Sequence, residues 1–373
     1  MAAALMHRRA GRVRRGQSAM ELHIVAKAVR LLSEQMTDQH TAVRESNIWA
    51  VVALGYTGAI GELRTGKLPQ QSVLKELQTI HIYGRLINNK VHLRGLVQLL
   101  QMIGGPQNLK TPSMGAAISF ADLYNSVRDL QRPSVPFIPF TVDYLDGDRL
   151  AVSQYEREWA RPVLSVLGST FIDVWSGPTD AVVLKLLEVI QHICDFTVLV
   201  ENYNQNRSVA RTPAALTDQR NFTQHAIMSL PAAEDFQSER KEVCDPQYEP
   251  CRLACIVYSL LIIMPFPPTV RFFERVIARL QRSILDMRAT KVKGQYRMQL
   301  QLWVLAMGAL ISIGLPERTW FITEMNAVLE RHEVLHVHDF LALLQGFLWH
   351  PCTNSHDGKE LWHDLQAARQ RSL

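Results

Sequence analysis

Apolar side chains along this chain recur mostly at three- and four-residue intervals, the spacing of one face of an α-helix. Leu22, Val25, Val29 and Leu32 make the first such stripe, and Ser18-Ala19-Met20-Glu21 ahead of it reads as a capping box. A second stripe, Val43, Ile48, Trp49 and Val52, predicts a helix ending near Gly61. A third, Val91, Leu93, Leu96, Leu99 and Leu100, stops at the helix-terminating Gly104-Gly105-Pro106. Helices are predicted again over 248–264, 269–289 and 294–313, then from near Pro316, from near Asp339, and from about Lys359 to the end. No segment alternates long enough to build a sheet, and no internal repeat is present. The pattern predicts an all-α fold: a multi-helix domain with long irregular connections and no substantial sheet.

Between the stripes the chain changes character. RPSVPFIPF, 132–140, has three prolines and reads as an extended connection. DYLDGDR, 143–149, reads as an acidic turn; Asp143, Asp146 and Asp148 lack the D-x-D-x-D-G spacing and the distal glutamate of a calcium loop. The polar stretch 201–247, with NYNQNRS and SERKEVCDPQ, reads as a long excursion or linker. The expected organisation is a basic tail, 1–17, one helical domain, 18–365, with a subdivision at 201–247, and a short end, 366–373. LACIVYSLLIIM and LWVLAMGALISIGL fall short of the roughly 20 apolar residues that cross a bilayer, so they read as core helices and no membrane association is expected.

Charge sharpens the picture only at the N-terminus. Lys and Arg total 40 and Asp and Glu 35, a formal +5. Arg8, Arg9, Arg12, Arg14 and Arg15 account for the excess, and the first twenty residues hold no acid. The remainder balances, so the body lacks the basic excess of a nucleic-acid binder. The arginine cluster has three readings: a nuclear-localisation signal, a mitochondrial presequence, or a solvated arm on a cytoplasmic protein. No apolar core of a secretory signal follows. The five cysteines, Cys194, Cys244, Cys251, Cys255 and Cys352, are odd in number and scattered, the usage of reduced and mostly buried thiols. Trp49, Trp303, Trp320 and Trp349 fall on apolar faces and read as core residues, with an apolar ligand pocket among them as the alternative.

Three stretches of the C-terminal third carry a family likeness: YEPCRLACIVYSLLIIMPFP (248–267), LQLWVLAMGALISIGLPERTWFITEM (300–325), and DFLALLQGFLWHP with its downstream GKELW. In order and spacing they resemble the fungal-specific transcription factor domain, the helical regulatory region that accompanies zinc binuclear cluster DNA-binding modules. HIYGRLINNKVHLRGLVQLLQMIGG, 81–105, is similar to the family's helix before a Gly-Gly turn, and the likeness covers about 20–365. Gly308-Ala309 stands where the family often has Gly-Gly. No cysteine precedes Cys194, so the six-cysteine zinc cluster is missing. The resemblance implies a non-enzymatic nuclear regulator acting through protein partners (a co-regulator or a dimer partner), with a small-molecule effector as a further expectation. It implies no sequence-specific DNA binding by this chain alone, and no cofactor.

The rival chemistry is a match to H-E-x-x-H at His332-Glu333-Val334-Leu335-His336. On one helix the two histidines would share a face and bind zinc, with Glu333 as general base and Glu360 spaced as a third ligand. The family likeness instead puts the five residues across a connection between two helices, where that geometry fails. No nucleophile elbow, phosphate-binding glycine loop or dinucleotide fingerprint accompanies the match.

Overall fold

The computed structural model describes residues 19–55, 60–87, 89–111, 113–141, 152–177, 179–207, 212–239, 245–269, 271–288 and 295–372. Within them are seventeen α-helices and no strand, and two isolated bridges, Ile60–Leu86 and Leu63–Thr269, are the β-type pairings. The helices are α1 (Ala19–Gln35), α2 (Gln39–Ala42), α3 (Glu45–Gly55), α4 (Ile80–Tyr83), α5 (Lys90–Met102), α6 (Met114–Asp129), α7 (Gln154–Leu164), α8 (Ser169–Val174) and α9 (Ala181–Asn204). They continue as α10 (Pro213–Ser229), α11 (Ala233–Glu239), α12 (Tyr248–Leu261), α13 (Phe272–Arg288), α14 (Gln295–Ile311), α15 (Arg318–Arg331), α16 (Val337–Gln345) and α17 (Pro351–Ser372). The fold is all-α.

A helix that is apolar nearly all round has to be covered nearly all round, and α12 is: every residue from Tyr248 to Leu261 except Glu249 is buried. It packs against α9, α10, α13 and α14, and these helices build the main core. Cys194, Cys251 and Cys255 lie in that core as free, buried thiols. Burial raises the thiol pKa of Cys194 and Cys251, which removes the thiolate that reactivity needs. Trp303 and Trp349 are fully buried, and the Trp303 Nε1 donates to Leu348 O at 2.9 Å. Gly308 earns its place by contact: a Cβ there would run into the Phe321 ring, so the crossing of α14 and α15 depends on a bare backbone.

A second, smaller core lies under α1, α3 and α5, formed by Ile48, Val51, Val52, Leu96, Leu99 and Leu100 with Met114 and Ile118 of α6. Here the sequence pattern needs correction. The second helix ends at Gly55 and not near Gly61. Trp49 points outward at 39% exposure, because α3 turns Ile48, Val51 and Val52 inward. Leu22, Val29 and Val91 are likewise exposed members of their stripes. Ser18 and the Glu21 side chain of the expected capping box lie outside the described residues, as do the five N-terminal arginines, Cys244, the Cys352 side chain and Asp143, Asp146 and Asp148.

The largest correction concerns 201–247. Its described residues hold the end of α9, all of α10 and α11, and the main core draws residues from before, within and after it, so they are largely helical and packed instead of an irregular excursion. Several of its buried polar groups find hydrogen-bond partners, which offsets the cost of burying them. Asp218 accepts the N–H groups of Phe140 (2.8 Å) and Thr141 (2.9 Å) and the Thr141 hydroxyl (2.7 Å). Gln224 Oε1 accepts the Ser259 hydroxyl of α12 at 2.7 Å. Arg220, fully buried, donates to Leu77 O, Gln78 and Asn221 and lies over the Phe120 ring; burial pulls its pKa down to about 10. Helix α10 therefore clamps the extended 132–141 connection onto the core. The last helix also starts earlier than expected, at Pro351, with the His350 N–H donating to Asn354 Oδ1 at 2.9 Å. None of the described helices is long and apolar enough to cross a membrane.

Candidate functional site

The H-E-x-x-H residues occupy the turn between α15 and α16. Helix α15 ends at Arg331, and His332 is its C-cap. Glu333 then takes a left-handed conformation, φ 52°, and His336 is the extended N-cap of α16. His332, Glu333 and His336 are exposed, and two histidines on opposite sides of a chain reversal share no helical face. Glu360 sits on α17, where the Lys67 ammonium lies 2.7 Å away and its hydrogen bond lowers the Glu360 pKa. His356 and Asp357 come within 4.8 Å of Glu360, but Asp357 already accepts the Gln70 N–H at 2.8 Å. The backbone breaks the zinc constellation.

A second constellation was not legible in the sequence. Glu201 Oε2 lies 3.1 Å from His350 Nε2, and Thr353 Oγ1 lies 2.9 Å from His350 Nδ1. With the carboxylate accepting from Nε2–H, the hydroxyl donates to Nδ1, an order of groups that formally matches a nucleophile relay. A nucleophile must meet substrate, however, and Glu201, His350 and Thr353 are all buried. None of them lines either groove described below. The three act as a polar staple joining α9 to the start of α17.

The open spaces lie elsewhere, on two sides of α5. Asn89 caps this helix by accepting the Val91 N–H at 3.0 Å. Gly104 (φ 77°) and Gly105 (φ 114°) end it, and the Gly105 N–H donates to Leu100 O at 2.8 Å. Leu96, Leu99 and Leu100 hold it on α3. Two stripes remain on its flanks. Lys90, Arg94, Val97 and Gln101 face one groove, and Val91, Gly95, Gln98 and Met102 face the other, each at i, i+4, i+7, i+11 spacing.

The first groove, about 690 Å³, runs between α5 and α6. The Lys90 Nζ–Asp129 pair, 3.2 Å apart, ties the start of α5 to the end of α6. Asp122 of α6 accepts the N–H groups of Ser134 (2.6 Å) and Val135 (3.1 Å) on the proline-rich connection, so Val135 contributes to the lining. Burial raises the Asp122 pKa and outweighs these hydrogen bonds, which act to lower it.

The second groove, also about 690 Å³, runs between α5 and α1 over α3. No Asp, Glu, Lys or Arg side chain lines it. Val29 and Met102 stand exposed at its edges, and Val91 is 67% exposed. Gly95 lies at its middle, and a Cβ there would meet nothing within 4 Å. A glycine inside a helix costs roughly 0.5–1 kcal/mol against alanine, and this one leaves a hole. Neither groove is lined by a tryptophan.

No known family model, curated protein or solved structure matches the chain. The family likeness rests on the residues quoted for it.

Proposed function

We propose that the chain is a non-enzymatic regulatory domain of the fungal transcription factor type, acting in the nucleus through protein contacts. The observation that carries this reading is the uncharged groove between α1 and α5. Exposed apolar side chains gathered around a concave surface, with no charge among them, favour protein contact. Its occupant is an amphipathic helix of a partner. The stripe from Val91 to Met102 spans eleven residues, about 16 Å at 1.5 Å per residue, which suits the three turns presented by i, i+4, i+7 anchors. The Gly95 hole receives one anchor at the centre.

The test fuses the whole chain to a heterologous DNA-binding domain in a fungal reporter strain. Reporter transcription is expected to change, and Val91→Glu with Met102→Glu is expected to abolish the change at equal protein level. Both side chains are exposed, so the fold should tolerate the charges. A fusion with no effect on the reporter, or an effect the double variant leaves intact, refutes the reading.

A further inference from the structure

The groove between α5 and α6 differs from its neighbour in chemistry. Its apolar floor, with Leu96, Val97, Leu100 and Ile118, is overlaid by polar side chains that the fold does not use. Among the described residues, the side chains of Gln98, Gln101, Asn125 and Gln131 make no hydrogen bond. Charges along its wall are otherwise settled. Lys90 and Asp129 pair with each other, with Arg275 a further 3.9 Å from Asp129. Arg132 pairs with Asp235 at 3.4 Å, and Asp122 Oδ2 holds two backbone N–H groups. Arg94 is the exception. Its Nε donates to Lys90 O at 3.4 Å, and among the described residues no carboxylate comes within ion-pair distance of it.

Position adds to charge. The Lys90–Asp129 pair fixes the register of the two walls. One turn from that pair on each helix, Arg94 on α5 and Asn125 on α6 line the same groove, and among the described residues the Asn125 amide makes no side-chain hydrogen bond. A guanidinium fork and an amide NH₂ that line one groove can together receive a carboxylate, since Arg binds carboxylate with two parallel N–H bonds. From Arg94 the lining turns apolar through Val97 and Ile118 and ends at Gln101, seven residues or about 10 Å along the helix. A volume of this size falls within the range of small-molecule sites, about 300–1,000 Å³.

We infer that this groove binds a small amphipathic monocarboxylate, with the carboxylate on Arg94 and Asn125 and the apolar body along Val97 and Ile118. The site does not depend on the partner reading above, and its assay reads ligand alone.

The test is calorimetric titration of the full chain with decanoate, with decylamine and decanol as matched controls. One decanoate is expected per chain, with decylamine and decanol at least tenfold weaker. Arg94→Met keeps the length and apolar stem of the side chain while removing the fork. Asn125→Asp places a negative charge beside the bound carboxylate. Both positions are solvent-accessible, and circular dichroism verifies that the variants fold. Each is expected to weaken decanoate at least tenfold, and a variant that does not fold is replaced by Arg94→Gln or Asn125→Glu. Three results overturn the proposal: no decanoate binding up to millimolar concentration, decylamine preferred over decanoate, or decanoate binding that folded variants at both positions leave unchanged.

Discussion

One substitution made at two glycines should move stability in opposite directions. Gly95 and Gly308 both lie inside helices at ordinary backbone angles, so alanine at either gains up to about 1 kcal/mol of helix propensity. At Gly95 nothing opposes the gain, because the new Cβ meets no atom within 4 Å. At Gly308 it would sit 2.5 Å from Phe321 Cζ and 2.6 Å from Cδ1, where carbon atoms prefer about 3.5–4.0 Å. Phe321 is fully buried, with Trp320 edge-on at 5.0 Å, so the ring has little room to withdraw. Overpacking of this kind costs about 1–3 kcal/mol, and so close an approach belongs at the upper end. The net expectation is about 1 kcal/mol of stabilisation at Gly95 and about 2 kcal/mol of destabilisation at Gly308. Unfolding entropy scales at roughly 2.1 cal/mol/K per residue, so for this chain Tm should rise about 1 °C and fall about 3 °C respectively. Thermal melts followed by far-UV circular dichroism at one scan rate resolve that pair. Shifts of the same sign would refute the reasoning, since propensity alone would then account for both sites. Gly95→Ala carries a second consequence: it fills the hole in the α1–α5 groove, so the reporter response should weaken although the protein is more stable.

The remaining predictions concern the charged and polar groups. Burial raises the Asp122 pKa, so the folded chain holds this proton to higher pH than the unfolded chain, and ionised Asp122 costs stability that is relieved as pH falls through the raised value. Urea midpoints should therefore show the wild type gaining on Asp122→Asn from neutral pH down into the carboxylate range, and parallel curves would sink the claim. His350→Ala removes one hydrogen-bond partner of the buried Glu201 carboxylate, which costs about 1–3 kcal/mol, whereas His332→Ala, in an exposed turn, should leave the same urea midpoint unchanged. Metal analysis of the purified chain should find no stoichiometric zinc. A zinc ion lost on His336→Ala would restore the hydrolase reading.

What the sequence discloses depends on whether one residue's partner can be seen from its own neighbourhood. Helices α12 and α14 are legible because a run that is apolar on every face has one solution, and α5 is legible because Leu96, Leu99 and Leu100 repeat at helical spacing before a Gly-Gly-Pro stop. The turn position of His332 to His336 is different: the family likeness implies it, and the apolar pattern does not. Helix α10 is illegible for the opposite reason. Asp218 reads as a surface residue until Phe140 and Thr141, far along the chain, arrive to donate to it. Trp49 reads as core until α3 is seen to need only one of its faces. The two grooves fail on the same account, since a groove belongs to a pair of helices. Yet α5 did carry a local sign. An amphipathic helix with one apolar face ought to show one polar face, and here the polar side is split, with Lys90, Arg94 and Gln101 on one flank and Gly95 with two exposed apolar residues, Val91 and Met102, on the other. A helix buried along its middle and dissimilar on its two edges is meeting two different surroundings. Arg94, with no carboxylate in ion-pair distance among the described residues, and Gly95, with open space beside it, mark that difference between the edges.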